Sequence, residues 1–393
     1  MSKASERRRS QPRAEDWSEV DYESVVAYSE EENPLGSVGM NMCSEVQTFS
    51  RRISRMMGRI ALASAIGSVS LTALAQSLFQ PTKTIVLTGV AGKFDHLAID
   101  TAGNRLFVAA TGNHSVEVVD LKTDEIQQSL SGLGKPHGLA WVAATGSLYV
   151  ADGELGELRV YKGNPLALAG KLKLSDDADD MVYDDAKHLL FVGHGGSDAA
   201  NPARIAVVDT DHFALVANLS VATHPEALDI DPGSHRVFAN IAASNEVAVI
   251  DTVSKNITAH WALTNAADNV PLAFDGEHEL LYIACRTPGM LIALDAVTGK
   301  ETGRQPAAGG ADDLFYDPAL RRVYVISGVG EVDAYQVSEA KALSTIGVLH
   351  TAPGAKTALF VSAQKLLYVG VPGMAGHSAE IRVYTTSTSG ATK

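Results

Sequence analysis

One residue position constrains this chain more than any other. An aromatic recurs at Phe107, Tyr149, Phe191, Phe238, Tyr282, Tyr324 and Tyr368, at intervals of 42 to 47 residues. Each sits in the second of four short runs cut by Gly, Pro, Asn, Asp and Ser. The stretch from Pro225 to Leu263 shows the unit. Its runs around Leu228, Phe238, Val249 and Ile257 are separated by Asp231-Pro232-Gly233-Ser234, Ser244-Asn245 and Ser254-Lys255-Asn256. Short β-branched and aromatic runs between such turns read as antiparallel strands. A four-stranded unit repeating every 40–50 residues is the signature of a propeller blade. Such a sheet cannot bury both faces alone, so copies pack face to face around an axis. Seven copies predict an all-β, seven-bladed β-propeller over residues 83–386.

The last repeat supplies only three strands of its own. A run at Thr84 to Thr88 lies ahead of the first repeat, so this N-terminal strand is expected to pair beside Ile381–Tyr384 and close the ring. Residues 76–82 read as a linker and 387–393 as a polar tail. Residues 1–50 are polar and charged and read as a disordered extension, or as a misplaced start. Residues 51–75 read as a signal peptide. Arg51, Arg52, Arg55 and Arg59 precede an uncharged stretch from Ile60 to Leu74 that ends in Ala73-Leu74-Ala75. The expectation is export to the periplasm or beyond the cell, by a general or a twin-arginine route, with no membrane span in the mature form. The alternative is an uncleaved anchor over residues 60–79.

The chain carries 32 basic and 46 acidic residues, a net charge of −14. An acidic surface repels phosphate backbones, so nucleic acid is excluded as a partner. Its two cysteines, Cys43 and Cys285, stand in no zinc or haem spacing. Few aromatics and no haem site also disfavour an electron-transfer propeller.

The chain resembles the exported bacterial propellers built from YVTN-type, WD-like repeats. The residues that carry the likeness are Leu106-Phe107-Val108-Ala109, Leu148-Tyr149-Val150-Ala151 and Leu366-Leu367-Tyr368-Val369, with the runs Val118-Val119-Asp120 and Val207-Val208-Asp209. The resemblance spans Lys83 to Tyr384 and implies fold and export; it implies no single activity.

Aligning the repeats on the aromatic places one residue of each at the start of its first strand. These are Asp95, His137, Asp179, Glu226, Val270, Asp312 and Lys356. Four carboxylates meeting at one channel mouth repel, so their pKa values rise or a cation sits among them. Asp95, Asp179, Glu226 and Asp312 are the candidate metal ligands, with Ca²⁺ or Mn²⁺ favoured by oxygen donors. His137, His194, Glu226 and Arg286 form a candidate catalytic set of acid, base and fixed cation. The long loop from Gly193 to Arg204 is the candidate recognition element. Two functions follow. The first is a monomeric scaffold binding a small molecule or a protein on this loop face. The alternative is a metal-dependent hydrolase similar to the propeller lactonases.

Overall fold

The computed structural model describes residues 78–387 other than 375. The expected extension and signal peptide lie outside them, as do the expected polar tail save Ser387 and the first two residues of the expected linker. The chain forms seven four-stranded antiparallel sheets. Blades 1 to 6 span residues 97–130, 136–173, 181–220, 225–262, 267–306 and 311–350. Within each, the four strands pair in chain order. The seventh sheet joins Thr357–Val361, Leu366–Val371 and Ala379–Thr386 to the N-terminal strand Phe79–Leu87. That strand starts earlier than the expected run, and its register with Ala379–Thr386 slips once, at Pro81/Lys83. Proline lacks an N–H to donate, and an outermost strand is where a sheet tolerates that.

The innermost strands touch in cyclic order, and Thr357–Val361 meets Leu97–Asp100. This is an all-β ring of seven blades. Among the described residues, no helix is long and apolar enough to cross a membrane.

The repeating aromatic holds the blades together. All seven copies are buried. Phe107 packs 5.3 Å from Trp141 of blade 2, Phe238 packs 5.5 Å from Phe274 of blade 5, and Tyr282 packs 5.4 Å from Tyr316 of blade 6. In each pair a second-strand ring meets a first-strand ring of the next blade. Such pairs add about 0.5–1.5 kcal/mol beyond the area they bury; Tyr324 repeats the arrangement with Phe360 of blade 7, whereas Tyr149 packs 6.1 Å from Phe213 instead.

One loop takes a different form from the expected one. Leu189–Ser197 continues as strand past Gly193 and returns through Pro202–Asp209, with Gly193 opposite Ile205 and His194 opposite Arg204. The glycines and small polar residues read as loop, yet they sit in an extended hairpin. Only a short turn at 198–201 remains, in which the Asp198 carboxylate accepts from the Ala200 and Asn201 amides.

Candidate functional site

The site begins with a backbone irregularity that recurs in the first strands. Pairing with the second strand slips between Pro136 and Leu139, Pro225 and Leu228, Asn269 and Leu272, and Ala311 and Asp313. These slips contain His137, Glu226, Val270 and Asp312. A bulge turns its extra residue out of the ladder and re-aims the side chain. Blade after blade, it aims into the channel. All seven aligned residues, Asp95, His137, Asp179, Glu226, Val270, Asp312 and Lys356, line one cavity of about 180 Å³, with Lys93, His96, Asp180 and Arg286.

Close backbone approach tightens the cluster. A Cβ at Gly138 would lie 2.3 Å from the Asp179 carbonyl, and one at Gly153 would lie 2.8 Å from the His137 ring. Both glycines are needed to bring His137 beside blade 3. His137 Nδ1 then lies 2.5 Å from Asp95 Oδ2 and 3.7 Å from Asp179 Oδ1. Asp179 Oδ2 lies 3.3 Å from His224 Nε2, whose Nδ1 donates to the Gly195 carbonyl at 2.8 Å. Asp95, His137 and Asp179 offer ligand atoms within 4.8 Å of one another, and so do Asp179, His224 and Glu226. Asp179 belongs to both groups.

The electrostatics follow. Burial alone would lower His224, but the hydrogen bond and charge of Asp179, with Asp177 and Glu226, hold it up to about 10. His137 is raised against its burial by the bond to Asp95 and the charge of Asp179. Burial presses Asp95 and Asp179 upward, but the imidazoles beside them win and hold both below the usual carboxylate range. Glu226 makes no hydrogen bond or ion pair with an imidazole among the described residues; burial, reinforced by Asp179, outweighs the charge of His224 and pushes it up to about 7.

Below this mouth His96 divides the channel. Its Nε2 lies 3.8 Å from Asp95 and 3.9 Å from Asp180, and its Nδ1 lies 3.6 Å from Asp313. Those last two carboxylates also tie blades together. Asp180 accepts from the Leu228 amide at 2.9 Å and Asp313 from the Ala358 amide at 2.6 Å. Asp229 repeats the device on Phe274 at 2.7 Å. A wider cavity of about 320 Å³ follows, bounded by His96, Phe274, Tyr316 and Phe360.

The candidates separate cleanly. Asp95, Asp179 and Glu226 converge with His137, but the expected fourth ligand, Asp312, lines the same cavity paired with Arg286 and Lys356 and belongs to neither ligand group. His194 does not join them. It is buried in blade 3, where Nδ1 accepts from the Ser175 amide at 3.2 Å and Nε2 meets Asn218 Oδ1 at 3.0 Å. The extended hairpin carries it into the blade and away from the mouth. His96 and His224 take its place. His224 lies two residues ahead of the aligned position, so no repeat register could flag it.

No known protein-family profile matches the chain. It is 24% identical over 199 residues to the uncharacterized protein YncE of Salmonella typhimurium strain LT2, covering 48% of this chain and 53% of that one. It is 24% identical over 201 residues to the Salmonella typhi protein of the same name, with the same coverage. The chain thus spans about half the length of the curated relatives it matches. Among solved structures, a chain of the mitotic checkpoint complex aligns with a TM-score of 0.65 at 13% identity, covering 78% of this chain and 92% of that one. U3-55K aligns with a TM-score of 0.65 at 13% identity, covering 78% and 99%. A chain of Kuenenia stuttgartiensis hydrazine synthase aligns with a TM-score of 0.63 at 16% identity, covering 74% and 95%. At such identities these likenesses speak to the propeller fold alone.

Proposed function

We propose that this protein is a YVTN-type ligand-binding propeller whose site is the charged cavity at the loop-side mouth, organised by a divalent cation. The carrying observation is the pair of ligand groups that share Asp179: Asp95, His137 and Asp179, and Asp179, His224 and Glu226. The donors come from blades 1 to 4 on a rigid ring, which fixes them before an ion arrives. The imidazoles alter the expectation from oxygen ligands alone. Ca²⁺ takes oxygen donors, whereas three carboxylates with two imidazoles suit a mixed N/O ion, and Mn²⁺ fits better than Ca²⁺. The leader read at residues 51–75 supports a setting outside the cytoplasm.

Both imidazoles must lose a proton to ligate, and both hold it above the usual histidine range. Mn²⁺ binding near neutral pH is therefore expected to release one to two protons per ion. Calorimetry in buffers of different ionisation enthalpy reads that number. At 100 times its Kd the ion should add about 2.7 kcal/mol of stability, seen as a rise in Tm. Asp179→Asn removes the shared ligand and should abolish both responses. A wild-type protein whose Tm ignores Mn²⁺ would leave these carboxylates as counter-ions of His137 and His224 only.

Glu226 favours a second reading. A buried carboxyl near pH 7 beside a cation site is poised to exchange protons, as a lactone-opening hydrolase requires. If the site is catalytic, the Mn²⁺-loaded protein should hydrolyse simple aldonolactones, and Glu226→Gln should lower kcat by about 10²-fold or more. Hydrolysis unchanged by that substitution would remove Glu226 from any such role.

A further inference from the structure

Charge is separated across the mouth. Blades 1 to 4 contribute Asp95, Asp179 and Glu226, with the imidazoles between them, while the opposite wall is cationic. There Arg286 donates through Nε to the Ala311 carbonyl at 2.8 Å and pairs through Nη2 with Asp312. Lys356 Nζ lies 2.5 Å from the other oxygen of the same carboxylate. One acid thus faces two cations. The Asp312 side chain is 9% exposed, whereas Arg286 and Lys356 are 35% and 32% exposed. All three line the cavity, and the counter-ion is the most deeply buried of them. Arg286 Nη1 makes no hydrogen bond among the described residues. Lys356 keeps donors beyond the one that Asp312 takes.

We propose that Arg286 and Lys356 bind the carboxylate of a small hydroxycarboxylate, whose hydroxyl groups reach across to the acidic half and its cation. This deepens the reading of the cavity as a ligand site and rests on it. The charge balance selects a monoanion. Two cations against Asp312 leave one positive charge for a carboxylate to neutralise with paired N–H donors. A dianion such as phosphate would carry its second charge towards Asp95, Asp179 and Glu226, which repel it. The far end of the ligand must be neutral and polar, because that half of the cavity offers carboxylate acceptors. A cavity of about 180 Å³ restricts the ligand to small acids.

The test titrates the full chain, metal-stripped and Mn²⁺-loaded in parallel, with glycolate, gluconate, butyrate and inorganic phosphate. The expected result is that a hydroxycarboxylate binds, and that butyrate and phosphate bind at least tenfold more weakly. Arg286→Gln should weaken the hydroxycarboxylate at least tenfold while leaving the Mn²⁺-induced Tm rise in place. Removing Lys356 alone strands part of a buried charge, so the second variant is Lys356→Met with Asp312→Asn, which keeps the net charge of this wall but removes the Lys356 donors; it should weaken the acid at least tenfold. Phosphate binding as tight as gluconate, or affinity unchanged in either folded variant, would overturn the proposal. A Tm that responds to Mn²⁺ while no hydroxycarboxylate binds would overturn it and leave the cation site standing. Hydroxycarboxylate binding to stripped protein whose Tm ignores Mn²⁺ would uphold it and remove the cation.

Discussion

A chain that starts at Gly92 should fail to fold stably, or should melt tens of degrees below the full chain. The segment it lacks buries Leu78, Phe79, Ile85, Leu87 and Val90 almost completely. Ile85, Leu87 and Val90 join the core that Leu106, Tyr368, Ile381 and Val383 form between blades 7 and 1. Leu78 and Phe79 join the neighbouring core, with Phe79 edge-on to Tyr324 at 5.3 Å. Five buried side chains at about 1.5–3 kcal/mol each are comparable with the whole stability of an ordinary domain, about 5–15 kcal/mol. The loss also bares the paired edge of Ala379–Thr386 from Phe79↔Thr386 to Leu87↔Ala379, and a long open edge invites association with other chains. Melting and light scattering, with the full chain alongside, read both effects. A truncated protein that stays monomeric and melts with its parent would show the strand to be an accessory to blade 7 and no clasp of the ring.

The physical origin of each feature explains what the sequence disclosed. The aromatic period was legible because every blade faces the same packing problem, and Phe107, Phe238 and Tyr282 solve it by the same tilted ring pair. The ring of site residues was legible for a related reason: the bulge recurs at a fixed distance from that aromatic, so alignment on Tyr149 or Phe238 finds His137 and Glu226. What was hidden lies off the repeat. His224 reaches Asp179 from the connection before blade 4, where no other blade offers a template. His194 looked available because glycines follow it, but strand pairing extends through them and buries it. The charge asymmetry was hidden as well. Arg286 and Lys356 lie 70 residues apart in sequence and meet only because both lean on Asp312.

The metal-stripped protein should lose stability steadily as pH rises from about 6 to 10, with a Tm lower by ten degrees or more at the alkaline end. Two sets of groups drive this. In the folded state His96 stands near 10: burial alone would lower it, but the carboxylates of Asp180, Asp95 and Asp313 outweigh that cost. His224 stands near 10 as well. Unfolded imidazoles titrate near 6.5. A folded pKa above the unfolded one contributes stability that is complete below about 6.5 and is lost as pH climbs to the folded value. Each folded-state proton in that window steepens the fall by about 1.4 kcal/mol per pH unit. Asp313 near 7 and Asp229 near 6, raised first by burial, act in the same direction lower down; their share is complete below about 4 and gone by 7. Asp95 and Asp179 oppose them. Held below the usual range, they contribute above about 4 and lose that contribution only in acid. The balance places the maximum on the acid side of neutrality. His96→Gln separates the causes. It keeps a polar side chain in the channel but removes the charge among Asp95, Asp180 and Asp313, so it should cost most at pH 5–6 and little at pH 10, where wild-type His96 has begun to lose its proton. A variant displaced from wild type by the same amount at every pH would show that His96 serves by packing, and that its charge does not hold the channel together.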